Sequence, residues 1–148
     1  FDSVTEMAEI NNIDAIASSY GRVFKFYFLS GELNSDIIDF YALDEEEVKE
    51  EINTTLSNGE NVWYIEGWPD VYMFEGKDTR AYKKLIEDSF LLKPFYVSRE
   101  MIYLSDEVYP SLIIYEIKNW IIGKIGKNQI FPIFYGYIKN ISKDLYIK

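Results

Sequence analysis

The chain has 148 residues, of which 48% are hydrophobic and 27% charged, and its net charge is −10 at neutral pH. This length and balance predict one globular domain over residues 1–148 and are wrong for a disordered segment. Cysteine and histidine are both absent. Their absence excludes disulfides, zinc–thiolate sites and iron–sulfur clusters, and it removes the commonest general base.

The sequence also gives an expectation for where the protein resides. No run reaches the roughly 20 apolar residues that span a bilayer. The N-terminus, with Asp2, Glu6 and Glu9, lacks the basic start of a signal peptide. We therefore expect a cytoplasmic protein that has no membrane partner.

The first predicted elements are a helix and a hairpin. Apolar residues recur at helical spacing over residues 4–20, and Gly21 follows as a helix stop. Residues 22–29 and 35–43 are rich in aromatic and β-branched side chains, which favours two strands. The short polar segment between them predicts an antiparallel hairpin.

The next helix has the clearest start signal in the chain. Asp44 is an N-cap candidate, and Glu47 follows three residues later, as in a capping box. Asn58 and Gly59 form a helix stop. A helix is therefore predicted over the residues between these two signals.

The remaining segments predict further strands and helices. They are strands over residues 61–68, 71–75 and 129–141, helices over residues 79–90 and 105–125, and an irregular segment over residues 91–104. Neighbouring strands and separate helices predict an α+β fold. In it, an antiparallel sheet of about five strands packs against three to four helices in a single domain.

Charge is divided unevenly along the chain. Residues 1–74 hold 16 acidic and 3 basic residues, whereas residues 75–148 hold 9 and 12. A charge run usually marks a solvated face, but such asymmetry also fits an electrostatic partner. The predicted partner-binding residues are acids of the hairpin and the capped helix with nearby aromatics: Glu32, Asp36, Asp39, Glu46, Glu47, Glu50, Glu51, Trp63, Trp68 and Tyr72.

These features predict a non-enzymatic acidic binding protein. The expected function is that of an inhibitor or immunity-type protein that neutralises a basic protein partner, such as a nuclease or toxin. Direct nucleic-acid binding is not expected, because phosphates repel an acidic surface. No cofactor and no catalytic residue are predicted. A structural or adaptor subunit of an assembly is an alternative interpretation.

A short motif offers an enzymatic alternative. Pro69-Asp70 followed by Glu75-Gly76-Lys77 resembles the PD-(D/E)xK nuclease signature, which implies carboxylates that hold Mg²⁺ and a lysine at the phosphodiester. In an extended strand Asp70 and Glu75 would lie about 16 Å apart. A shared metal therefore needs a tight bend. The alternative is a divalent-metal-dependent carboxylate hydrolase or nuclease that uses Asp70, Glu75 and Lys77.

Overall fold

The computed structural model describes residues 1–71, 77–104 and 106–120, without the side chains of Trp68 and Leu104. Within these residues, no helix is long and apolar enough to cross a membrane. The described helices and strands are α1 (Asp2–Ile10), β1 (Ala15–Ser18), α2 (Gly21–Ser30), β2 (Asp36–Asp39), α3 (Glu45–Ser57), β3 (Val62–Gly67), α4 (Arg80–Ser89), β4 (Leu91–Val97), β5 (Met101–Leu104), β6 (Glu107–Pro110) and β7 (Leu112–Lys118). A short 3-10 turn, Trp68–Asp70, follows β3.

Five strands form one mixed sheet in the order β2-β1-β3-β7-β4, and β5 pairs with β6 in a separate sheet. β1 runs parallel to β2 and β3, whereas β7 runs antiparallel to β3 and β4. The α+β class and the five strands are confirmed. The purely antiparallel arrangement is wrong, because α2 and α3 each connect strands that run in the same direction, which requires a crossover.

Helices cover both faces of the sheet. On one face, α3 and α4 bury Val48, Ile52, Tyr82 and Ile86. On the other face, α1 and α2 bury Val4, Ala8 and Phe24. β3 lies in the middle of the sheet, and all six of its residues are buried. The two cores therefore lie on opposite sides of the same central strands.

The segment predicted as one helix over residues 4–20 is a helix followed by a strand. α1 ends at Ile10, and Asn12 has a left-handed backbone with φ 51°. The four residues of β1 are then buried without interruption. The prediction is wrong here because a short, fully buried strand shows no alternation that separates it from a helix.

The segment predicted as a strand over residues 22–29 is α2, so the predicted hairpin is also wrong. Its aromatic and β-branched residues favour a strand locally. However, the chain between parallel strands β1 and β2 must cross over the sheet, and a helix provides that connection. Phe24 is the buried anchor of α2, and Gly31 ends the helix with φ 79°.

Three other elements agree with their predictions: α3, β3 and α4. α3 begins with a complete capping box. The Asp44 carboxylate accepts a hydrogen bond from the Glu47 amide at 2.8 Å, and the Glu47 carboxylate accepts one from the Asp44 amide at 2.8 Å. These elements were predictable because their signals lie within a few residues of each other.

The helix predicted over residues 105–125 is wrong in its described part, which forms β6 and β7. The predicted irregular segment over residues 91–104 contains β4 and β5. β7 lies between β3 and β4 with helices on both sides, and such strands read as continuous apolar runs. Residues 72–75 and 129–141, both predicted strands, lie outside the described residues.

Candidate binding surface

α3 presents its acidic residues to solvent. Val48 and Ile52 face the core, so the remaining faces of the helix carry the acids. The exposed acids include Glu46, Glu47, Glu50 and Glu51. None of these four forms an ion pair with another described residue. Lys49 is half-buried on the same helix. The helix therefore carries one basic side chain and four exposed glutamates of this set.

A second set of acids lies where the three parallel strands begin. Asp14 precedes β1, Asp36 begins β2, and Glu60 lies just before β3. Because parallel strands begin at the same edge of a sheet, these exposed side chains line one groove. Asp14 accepts a hydrogen bond from the Asn61 amide at 2.7 Å. Its partner is thus a backbone group, which leaves the negative charge uncompensated.

Asp36 connects the two sets of acids. It lines the groove with Asp14 and Glu60, and also a second groove of about 340 Å³ that contains Glu51. We call Glu46, Glu47, Glu50, Glu51, Asp14, Asp36 and Glu60 the acidic surface. Sequence reasoning missed Asp14 and Glu60, since the predicted hairpin did not bring strand starts together. An acid just before a buried apolar run was the available signal.

Two predicted partner-binding residues are buried. Asp39 is 3% exposed and lies 3.3 Å from the Lys25 ammonium group. Trp63 is 1% exposed, and its ring centroid lies 4.8 Å from that of Phe95. Neither side chain contributes area to an exposed surface, so both support the fold in this structure.

The other predicted residues lie apart from the acidic surface or outside the description. Glu32 is exposed and accepts a hydrogen bond from the Ser30 hydroxyl at 2.9 Å. It lines neither of the two grooves that Asp36 joins. The side chain of Trp68 and the whole of Tyr72 lie outside the described residues.

The opposite edge of the sheet, where β1 and β3 end, is the position at which α/β folds commonly bind ligands. In this structure the protein's own side chains occupy that position. The buried Asp70 accepts hydrogen bonds from the Gly67 amide at 2.9 Å and the Ser19 hydroxyl at 3.2 Å. The Tyr20 ring packs on Gly67 so closely that an added Cβ atom would lie 2.1 Å from it.

Among the described carboxylates, Asp70 has the most strongly raised pKa. Burial raises the pKa of Asp70 to about 7, and the charge of Glu66 adds to the increase. Hydrogen bonds from the Gly67 amide and the Ser19 hydroxyl oppose the increase only in part. Asp70 Oδ1 has no hydrogen-bond partner among the described residues. This buried carboxyl therefore holds its proton much more readily than an exposed aspartate does.

Glu66 and Lys83 form a second buried polar contact beneath α4. The Lys83 ammonium group lies 2.9 Å from Glu66 Oε1, and the Glu66 side chain is 4% exposed. The nearby Tyr64 hydroxyl is buried, and burial, followed by the charges of Asp70 and Glu66, raises the pKa of Tyr64 well above its usual value. The Glu66 carboxylate is therefore a charged group inside the protein that is almost fully shielded from solvent.

The residues of the nuclease-like motif are held by other contacts. The Lys77 ammonium group donates a hydrogen bond to the Leu43 carbonyl at 2.5 Å and lies 4.8 Å from the centre of the Tyr82 ring. Glu75 lies outside the described residues. Within the part of the chain that is described, no group of three metal-binding side chains occurs.

Among the residues that the structure describes, charge is concentrated on the acidic surface and at the buried carboxylates Glu66 and Asp70. In comparisons with protein families, curated proteins and solved structures, the chain matches no family model, no curated protein and no solved structure.

Proposed function

We propose that this chain is a non-enzymatic binding protein that docks on a basic protein partner through its acidic surface. The partner is of the kind that an inhibitor or immunity-type protein neutralises, such as a nuclease or toxin. The observation that carries the proposal is that the acidic surface is exposed and forms no ion pair among the described residues. The proposal includes the cytoplasmic location expected from the sequence.

The arrangement of charge supports a partner beyond simple solvation. Glu46 and Glu50, and likewise Glu47 and Glu51, lie one helical turn apart, where like charges repel by a few tenths of a kcal/mol per pair. A basic partner relieves this repulsion when it binds. Complementary charge also accelerates association and selects among partners.

The grooves add shape to this charge. Asp36 belongs to both grooves, so Glu51 of α3 and the acids at the strand starts line concave sites that adjoin each other. A cationic side chain that enters a groove is less exposed to solvent than one on a flat face. Screening by salt is weaker for such partly buried pairs.

Affinity capture from a cell extract, followed by mass spectrometry, tests the proposal. The test variant carries Glu46→Gln, Glu50→Gln and Glu51→Gln. We expect the native chain to capture a basic protein that is released at about 0.5 M salt, where exposed charges are strongly screened. The variant should lose this partner, because its acidic surface has lost three charges.

A matched control removes the same number of charges elsewhere. Asp88→Asn, Glu100→Gln and Asp106→Asn alter three exposed acids outside the acidic surface. This control has the same net charge as the test variant and should retain the partner. Equal losses from both variants, or a neutral partner that resists salt, would contradict the proposal.

A further inference from the structure

The edge of the sheet beside the acidic surface carries backbone groups that face away from the sheet. Among the described strands, β2 has β1 as its single neighbour. The amides of Asp36 and Phe40 donate to the carbonyls of Asp14 and Ser18, at 2.8 and 3.2 Å. Backbone groups alternate in direction along a strand, so the amide and carbonyl of Ile37 point outward, whereas the next such residue, Asp39, is 3% exposed.

The groove along this edge combines three kinds of surface. Its lining includes Asp36, Ile37 and Asp39 of β2, Lys25 of α2 and Glu51 of α3. Asp36 and Glu51 form no ion pair among the described residues, whereas Asp39 pairs with Lys25. The groove thus offers outward backbone groups, several apolar side chains and two uncompensated negative charges.

We propose that an extended, basic segment of the partner adds, as a further strand, to the edge of β2 that no described strand covers. This inference rests on the proposed function and specifies how the partner is recognised. In the complex, backbone groups of the segment pair with the amide and carbonyl of Ile37. Lysine or arginine side chains at alternate positions lie over Asp36 and Glu51.

The chemistry of the edge favours an extended segment over a helix. A helix uses its own backbone groups internally, so it leaves the outward amide and carbonyl of Ile37 unpaired, whereas an added strand pairs with them. Side chains of a strand alternate between its two faces, so every second residue of the segment lies on the α3 side of the sheet, where Glu51 is located. β2 has four residues, which limits the paired part of the segment to a similar length.

The Lys25–Asp39 ion pair allows this edge to discriminate between segments that differ in the placement of their charges. Charged side chains on edge strands commonly prevent nonspecific pairing. Lys25 repels a cation on the α2 side of β2, whereas the acids on the α3 side attract one. A segment with cations on one face only is therefore the preferred occupant.

Two synthetic peptides of equal charge provide the test. One alternates lysine with valine and favours an extended strand, and the other alternates lysine with glycine and does not. The readouts are amide hydrogen exchange and NMR titration of the full chain. We expect the lysine–valine peptide to bind more tightly and to slow exchange at the Ile37 amide by about tenfold or more.

Ile37→Pro removes one outward amide and spares the amides that pair with β1. It should weaken binding of the lysine–valine peptide by about tenfold, which is the scale of a lost backbone pairing. If this variant does not fold, exchange at the Ile37 amide in the native chain still decides the question. An Ile37 amide that is already protected without peptide, or a dimer of the free chain paired through β2, would overturn the inference.

The outcome also separates this inference from the proposed function. If the captured partner depends on Glu46, Glu50 and Glu51 but binds Ile37→Pro normally, strand addition is refuted and the proposed function stands. If the partner is unaffected by either change, both are refuted. Equal binding of the two peptides likewise overturns strand addition, since charge alone then accounts for binding.

Discussion

Asp70 provides a quantitative test of the buried polar interior. Its pKa is raised from 3.8 to about 7 in the folded chain. Because the folded state holds the proton more tightly than the unfolded state, the stabilisation is complete below the unfolded pKa and is lost as pH rises to about 7. Over the range from about pH 5 to about pH 8, this loss amounts to about 2 to 3 kcal/mol in the free energy of unfolding.

Asp70→Asn removes the titration while it retains an oxygen that can accept the hydrogen bonds from Gly67 and Ser19. The new amide nitrogen has a cost in the interior, but that cost does not depend on pH. We therefore expect the free energy of unfolding of Asp70→Asn to fall less than that of the native chain between these pH values. The difference between the two slopes, and not either stability alone, is the predicted quantity.

Urea unfolding of both proteins at a series of pH values and constant ionic strength measures this difference. Asp106→Asn is a matched control, because Asp106 is exposed in a turn. Its pH profile should follow that of the native chain. If Asp70→Asn also follows the native profile, the carboxyl does not titrate in the way that its burial implies, and the reasoning is wrong.

Two further predictions concern α3 and α4. Asp44→Ala removes the side-chain half of the capping box and should lower the free energy of unfolding by about 1 kcal/mol; thermal unfolding would show no change if the cap does not contribute. Lys83→Met leaves the Glu66 carboxylate buried without its cation and should lower the free energy of unfolding by roughly 3 kcal/mol. The double variant Lys83→Met with Glu66→Gln should recover much of this loss in urea unfolding, and a failure to recover would argue against a direct ionic contact.

The sequence predicted only those parts of the site that depend on residues close to each other in the chain. The exposure of the α3 glutamates followed from helical spacing, since Val48 and Ile52 mark the buried face. The burial of Asp39 and Trp63 did not follow from spacing, because it depends on α2 and on Phe95, which pack on them from elsewhere in the chain. Likewise, no pattern singled out Asp70 among 25 acids, since its acidity is a consequence of burial.

The errors in the fold have the same physical origin. The segment that became α2 has local strand preference, and the segment that became β7 has apolar spacing that fits a helix equally well. Their final conformations depend on neighbours: α2 connects two parallel strands, and β7 fills the position between β3 and β4. Local preference is weak compared with the burial that such positions provide.

The sequence by itself determined the capped, acid-rich helix and the side of it that faces water, because a cap and a helical period are complete within a few turns of chain. Only the tertiary structure decided which other acids join that helix. Asp14, Asp36 and Glu60 are distant in the chain and meet because β1, β2 and β3 run parallel and begin at one edge. Strand direction and order arise from contacts between remote residues, which no local pattern encodes.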